Sequence, residues 1–122
     1  MTTLETLRER LTAAVATPEV KSFARGLEAV IRFSVAAQSI DVVCASNEPA
    51  VKPSSGACGL ALSASESDWQ IALQPVPPPT YQSFSSIQLR NPRFTVSGDP
   101  LLIAQARAFL EAVFANLGGN HD

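Results

Sequence analysis

Residues 63–99 read SASESDWQIALQPVPPPTYQSFSSIQLRNPRFTVSGD, and this stretch connects the strand-rich first half of the chain to its last helix. It contains the single Trp of the chain, Trp69, the single Tyr, Tyr81, and the longest proline run. Ser65 and Asp68 form an S-x-x-D pattern immediately before an apolar run, which predicts the N-terminus of a helix.

Apolar and polar residues alternate on both sides of this stretch, as expected for strands with one covered face. We predict strands over residues 31–35, 40–45, 58–63 and 93–97. Residues 47–56 hold two prolines, two serines and a glycine, and they are predicted to form a loop. Gly59 leaves room for a close approach to the third of these strands, most simply by a helix.

Helix signals are clear at both ends of the chain. Apolar residues at helical spacing predict a helix over residues 2–16, with Thr2 and Glu5 as a capping box. Thr17-Pro18 predicts the start of a second helix, and Asp99-Pro100 the start of the last one. That last helix extends to about residue 117, and its apolar stripe is wide enough to cover a sheet and leave side chains over. Two shorter helices are predicted over residues 65–74 and 81–89.

Strands that are grouped together with helices outside them indicate an α+β fold with a mainly antiparallel sheet. N-terminal, middle and C-terminal helices are expected to cover the sheet. The chain of 122 residues is interpreted as one domain, 1–122, with a flexible tail at 118–122.

Composition excludes several classes of function. The net charge is −2, and no cluster of Lys and Arg is present, so nucleic-acid binding lacks its usual electrostatic signal. The N-terminus does not have the pattern of a signal peptide, and no apolar run is long enough to span a bilayer. We therefore expect a soluble cytoplasmic protein without integral membrane association. Charged residues make up only 16% of the chain, which fits a surface partly covered by a ligand or a partner.

Groups suited to catalysis are scarce, so no enzyme activity, catalytic residue, metal site or cofactor is predicted. The one histidine, His121, lies in the tail. Cys44 and Cys58 do not form a C-x-x-C pattern and are interpreted as small buried hydrophobes, although the pattern leaves a disulfide between them open. Asp41 interrupts an apolar strand, and we expect it at an exposed edge rather than buried in a ligand cavity.

Asp68-Trp69 at the start of a short helix, and Gly98-Asp99 between a strand and an amphipathic helix, resemble the sterol-carrier-protein type-2 domain. The resemblance spans roughly residues 20–117. It implies a sheet of five strands whose helices enclose an apolar tunnel for a fatty-acyl or sterol-like ligand. The family's Gly-rich segment after the acidic-aromatic helix is replaced here by P-V-P-P-P-T-Y-Q-S-F, at the place where the cavity entrance tends to lie.

We therefore expect a small module that binds an apolar ligand such as a lipid, a sterol or a fatty-acyl group. The side chains expected around that ligand are Phe33, Val35, Trp69, Leu73, Tyr81, Phe84, Phe94, Phe109, Leu110 and Phe114. Tyr81 is the best polar contact among them, because a buried phenol needs a hydrogen-bond partner.

The alternative is an accessory or dimerisation module without a ligand of its own. The P-P-P-x-Y-Q-S-F run is similar to a segment in accessory domains that precede α/β-hydrolase enzymes, so the partner would be such an enzyme or a second copy of this chain. The wide apolar stripe of the last helix would then form the interface.

Overall fold

The computed structural model describes residues 2–117. The helices are α1, Thr3–Val15; α2, Pro18–Phe23; α3, Glu66–Ala72; α4, Phe84–Arg90; and α5, Pro100–Ala115, with a 3-10 turn at Pro79–Tyr81 before α4. The strands are β1, Ala29–Val35; β2, Gln38–Ala45; β3, Glu48–Pro53; β4, Leu60–Ala64; and β5, Thr95–Gly98. The tail that was predicted to be flexible, 118–122, lies outside the described residues.

Four of the five predicted helix starts are confirmed by their hydrogen bonds. Thr2 and Glu5 form a capping box: the Thr2 hydroxyl accepts from the Glu5 N–H at 3.1 Å, and the Thr2 N–H donates to the Glu5 carboxylate at 3.3 Å. Thr17, Ser65 and Asp99 each accept a backbone N–H from the first turn of α2, α3 and α5, respectively. Each cap satisfies a donor that the helix itself cannot pair.

The sheet is mixed, so the prediction of a mainly antiparallel sheet is wrong. Its strand order is β3-β2-β1-β4-β5, and β4 runs parallel to β1 while the other neighbours are antiparallel. The reason is that β3 pairs with the outer side of β2. The chain then has to cross over two strands before it re-enters the sheet beside β1.

Strand β3 was missed because it lies inside residues 47–56, which were predicted to be a loop. Pro49 and Pro53 pair with Cys44 and Ile40 of β2 in an antiparallel register. Proline has no N–H to donate to a sheet and is tolerated mainly on edge strands. The two prolines therefore indicate an edge strand here and do not exclude a strand.

An ion pair between a partly exposed arginine and a buried aspartate holds the crossover between β3 and β4. Arg32 of β1 and Asp41 of β2 are register partners, and two hydrogen bonds of 2.9 and 3.1 Å join the guanidinium to both carboxylate oxygens. Arg32 also donates to the carbonyl oxygens of Ser55 and Gly56, and the Ser55 N–H donates to Asp41 at 3.3 Å. The expectation of an exposed Asp41 is wrong: the residue is 2% exposed, because the crossover covers it.

The opposite face of the sheet forms the core. Alternate residues of the central strands point towards the helices and are buried: Ile31, Phe33, Val35, Ile40, Val42, Cys44, Leu60 and Leu62. Helix α1 packs against β2 and β3. The helices also contact one another, α5 with α2 and α4, and α1 with α2, α3 and α5. The core thus lies between one face of the sheet and a layer of helices.

Close backbone packing joins α5 and β5 to the start of β4. A Cβ atom at Gly59 would lie 2.5 Å from the Leu102 side chain of α5, so a helix does occupy the space left by this glycine. Gly98 has a φ of +141°, and a Cβ there would collide with the Gly59 carbonyl and lie 3.1 Å from Leu60 Cα. The backbone contacts require a glycine at position 98, whereas the contact at Gly59 is with the end of a flexible side chain.

Substitution of Gly98 by Ala is expected to lower the free energy of unfolding by about 3 kcal/mol, through backbone strain and overpacking together. Gly56→Ala is the matched control. Gly56 also has a positive φ, but nothing lies within 4 Å of its Cβ position, so only backbone strain should remain. Urea unfolding of both variants measures the difference, and equal losses would contradict the packing argument.

Asn in place of Asp41 should destabilise the protein in a pH-dependent way. Burial raises the pKa of the Asp41 carboxyl, but hydrogen bonds from Arg32 and Ser55 and the charge of Arg32 outweigh it, and the net pKa is lowered. A lowered pKa contributes stability that is present above the pKa of the unfolded carboxyl, about 3.9, and is lost as the pH falls through the folded value.

At pH 7, Asp41→Asn should therefore cost about 2 kcal/mol, the size of a charge-assisted hydrogen bond. The difference from the unmodified protein should shrink below about pH 4. Chemical unfolding between pH 3 and pH 7 measures it, with Glu48→Gln at an exposed position of β3 as the control. A difference that stays constant down to pH 3 would refute this role of the carboxylate.

Candidate functional site

Trp69 lies at the centre of an aromatic cluster in the core. Its ring centroid is 4.9 Å from that of Phe94, 6.0 Å from Phe33 and 6.4 Å from Phe114. The indole N–H donates to the carbonyl of Ser34 in β1 at 2.8 Å. Helix α3 presents Trp69 on its buried face, so a single side chain connects this helix to β1, to the segment before β5 and to α5.

The cluster continues towards the surface through two further rings. Phe84 of α4 stacks near Phe114 with centroids 6.3 Å apart, and the Arg107 guanidinium lies 5.3 Å above the Phe84 ring. Tyr81 meets Phe94 edge-on at 5.9 Å and is half-buried. The Tyr81–Phe94 pair is therefore the edge of the cluster that lies nearest to solvent.

The structure brings together all ten side chains that the sequence predicted around a ligand. Besides the six aromatic residues already described, Val35, Leu73, Phe109 and Leu110 belong to the same buried core, and Tyr81 packs against it. The packing explains why they cluster, but core residues of any such domain would do the same. Their contact with a ligand stays a prediction.

Tyr81 has the polar partner that its phenol requires. The hydroxyl donates to Oδ1 of Asp68 at 2.9 Å, and the Ser65 hydroxyl donates to Oδ2 of the same carboxylate at 2.6 Å. Burial, followed by the hydrogen bond to Asp68, raises the pKa of Tyr81. Asp68 is 5% exposed and was interpreted as a helix-cap residue from its position. No sequence signal links it to Tyr81, because the contact spans the proline-rich segment.

The proline-rich segment leads to Tyr81, at the exposed edge of the aromatic cluster. The segment begins at Pro75, after α3, and ends with the 3-10 turn Pro79–Tyr81. The sequence predicts a helix from residue 81, but α4 begins only at Phe84. Val76 is 79% exposed. Two side-chain hydrogen bonds hold it, from Gln82 to the Pro77 carbonyl at 2.8 Å and from Asn91 to the Thr80 carbonyl at 3.2 Å.

A polar cleft of about 300 Å³ lies between α1 and the C-terminal end of α3. Its lining residues are Thr3, Thr6, Arg10, Gln70, Leu73 and Gln74. Arg10 Nη1 donates to the carbonyl of Leu73, where α3 ends, at 2.9 Å and to that of Leu117, just past α5, at 3.1 Å. Leu73 is the one residue of this cleft that also belongs to the predicted ligand site.

Two other depressions lie on other parts of the surface. One, of about 460 Å³, lies where α1 crosses β2 and β3 and includes Leu4, Arg8 and Val51. The other, of about 350 Å³, follows the contact between α2 and α5 and includes Phe23 and Ala112. Neither contains a residue of the predicted ligand site.

Among residues 2–117, no three His, Cys, Asp or Glu side chains lie close enough together to hold a metal ion. His121 lies outside that range. In the same range, no helix has the length and the apolar character that crossing a membrane requires. Cys44 and Cys58 are both free thiols, which answers the question that the sequence left open. Burial raises the pKa of the Cys44 thiol to about 12.

Comparison with known proteins gives a result at the level of structure. No protein-family model and no curated protein sequence matches the chain. Solved structures match along nearly its whole length, at sequence identities too low for a sequence comparison to detect easily.

A crystal structure of sterol carrier protein 2 is similar, with a TM-score of 0.59 and 11% identity over 94% of this chain and 95% of that one. The ligand-free sterol carrier protein 2 of Yarrowia lipolytica has a TM-score of 0.56 and 14% identity, over 93% and 90%. A ubiquinone synthesis protein described as UbiJ-SCP2 has a TM-score of 0.56 and 16% identity, over 91% and 94%. The chain therefore has the fold of sterol carrier protein 2.

Proposed function

We propose that this protein binds and carries an apolar small molecule, such as a lipid, a sterol or a fatty-acyl compound, and catalyses no reaction on it. The observation that carries the proposal is the fold, which is shared with sterol carrier proteins, and we place the ligand at the aromatic cluster around Trp69 in its core. Ubiquinone, named in the description of a third neighbour, is like a sterol in being largely apolar.

An apolar ligand in this core would gain its binding energy from burial. Removing apolar surface from water contributes about 25 cal/mol per Å², so 300 Å² of buried ligand surface would correspond to roughly 7 kcal/mol before the costs of association. The rings are in mutual contact in this structure, so a ligand would have to separate some of them. We place that separation at the Tyr81–Phe94 edge, because Tyr81 is half-buried.

The proline-rich segment would control entry at this edge. Side-chain hydrogen bonds from Gln82 and Asn91 hold it, and it makes no strand pairing. Such a segment can move without breaking the sheet. The Asp68 carboxylate and the Tyr81 hydroxyl would then offer a polar contact to a ligand that carries one hydroxyl group at its end.

Ligand uptake can be followed through Trp69, the single tryptophan of the chain. A polyene fatty acid such as cis-parinaric acid, bound in the cluster, should quench Trp69 emission by energy transfer with a saturable, 1:1 dependence on concentration. Native mass spectrometry after mild lipid extraction should show the same stoichiometry. Absence of bound lipid and of probe uptake would refute the proposal.

Tyr81→Phe separates the polar contact from the apolar one. The variant keeps the ring but loses the hydrogen bond to Asp68, so the affinity for a long-chain alcohol should fall about fivefold, the effect of one hydrogen bond. The affinity for the matching alkane should not fall. Ser83→Ala, in the cap of α4, serves as a control outside the cluster. Equal losses for both ligands would exclude Tyr81 as the polar contact.

A second candidate function is that of an accessory or dimerisation module, alone or with an enzyme of the α/β-hydrolase type. Phe23 and Leu101 are 47% and 64% exposed, and the groove between α2 and α5 is lined largely by Phe23 and alanines. These exposed apolar groups favour an interface on α5. A tight dimer in native mass spectrometry, with no lipid bound and no probe uptake, would support this function over the first.

A further inference from the structure

The polar cleft between α1 and α3 combines one permanent cation with a set of uncharged hydrogen-bonding groups. Arg10 uses only Nη1 for its two backbone carbonyls. A guanidinium carries five N–H donors, and the remaining three, on Nε and Nη2, have no hydrogen-bond partner among residues 2–117. Arg10 can therefore keep its structural bonds and still donate to a ligand.

The other lining groups add donors around Arg10. Gln74 is exposed at the end of α3, and its side-chain amide makes no hydrogen bond to the described residues. Gln70 uses its amide to donate to the Thr3 hydroxyl at 3.0 Å, and the Thr6 hydroxyl donates to the carbonyl of Thr2, the N-cap residue of α1. The unused donors are thus concentrated on Arg10 and Gln74.

Within residues 2–117, no carboxylate lines the cleft. One carboxylate, that of Glu66, is hydrogen-bonded to a lining residue of the cleft: it accepts from the Thr3 hydroxyl at 3.2 Å. Glu66 is the first residue of α3 and Gln74 follows the last turn, so the helix separates the acidic end from the Arg10 end. A fixed positive charge with several N–H donors, separated by the length of α3 from the carboxylate of Glu66, is complementary to an oxyanion.

We propose that this cleft binds a phosphate or carboxylate group, with Arg10 and Gln74 as its donors. The group can belong to a free anion or to the head of a lipid. The second case rests on the proposed carrier function: Leu73 forms part of the wall of the cleft and belongs to the core, so a head group in the cleft would lie beside the apolar cluster.

The test uses the full chain labelled with ¹⁵N and three probes: inorganic phosphate, a lysophosphatidic acid, and the uncharged monoacylglycerol with the same acyl chain. The amide signals of residues 6–10 and 70–74 should shift saturably with at least one of the two phosphates, and more weakly at high salt. Equal affinity for both phosphates identifies a site for free oxyanions, and much tighter binding of the lysophosphatidic acid identifies a head-group site.

Charge substitutions at Gln74 give a readout with opposite signs. Gln74→Glu should raise the Kd for the phosphate probe about threefold, and Gln74→Lys should lower it by a similar factor, as expected for a surface charge at close range. Gln105→Glu and Gln105→Lys make the same charge changes at an exposed position of α5 outside the cleft. They should leave the Kd nearly unchanged.

These Gln74 variants replace an exposed side chain, so they avoid the loss of structure that removal of Arg10 would risk. Equal effects at Gln74 and Gln105, or no shift in α1 and α3 with either phosphate, would overturn the inference. Binding of the monoacylglycerol with no charge dependence of the phosphate probes leaves the carrier function intact and refutes the cleft. Charge-dependent phosphate binding without uptake of the monoacylglycerol supports the cleft and refutes the carrier function.

Discussion

The ion pair between Arg32 and Asp41 fixes the path on which the rest of the fold depends. Residues 54–59 have to carry the chain across three strand spacings, about 14 Å, from β3 to β4. Parallel strands are usually joined by a dozen or more residues, often through a helix. Here the six-residue connection is held across the sheet by hydrogen bonds from Arg32 and to Asp41. Without them, this connection would be held only at its end, where the Gly59 N–H donates to the Val30 carbonyl and β4 begins to pair with β1.

The position of β4 in turn determines where the aromatic cluster forms. Helix α3 follows β4 after one residue, and it carries Trp69 back onto β1, where the indole bonds to Ser34. Strand β5 pairs with β4, so Phe94 reaches the Trp69 ring from the other side. The cluster thus results from the sheet topology more than from any local pattern of apolar residues.

The sequence predicted local features well and long-range ones poorly. The caps at Thr2, Thr17, Ser65 and Asp99 were predictable because the capping residue and the donor it satisfies lie within one turn. Strand β3 does not follow from the sequence, because prolines locally indicate a loop and the edge position that tolerates them is a property of the sheet.

The misplacement of Asp41 has the same origin. What buries it is a segment 14 residues later in the chain, which no pattern around Asp41 indicates.

The ten residues expected around a ligand do converge in space, since apolar periodicity identifies core positions, but periodicity does not distinguish a core from a ligand site. The aromatic cluster draws on residues from Phe33 to Phe114, and this has a consequence for folding: β1, β2 and β3 can pair through short turns, whereas the rings must wait for distant segments to meet. We expect the meander to form first and the cluster around Trp69 to close late, so Trp69 emission should report the last step of folding.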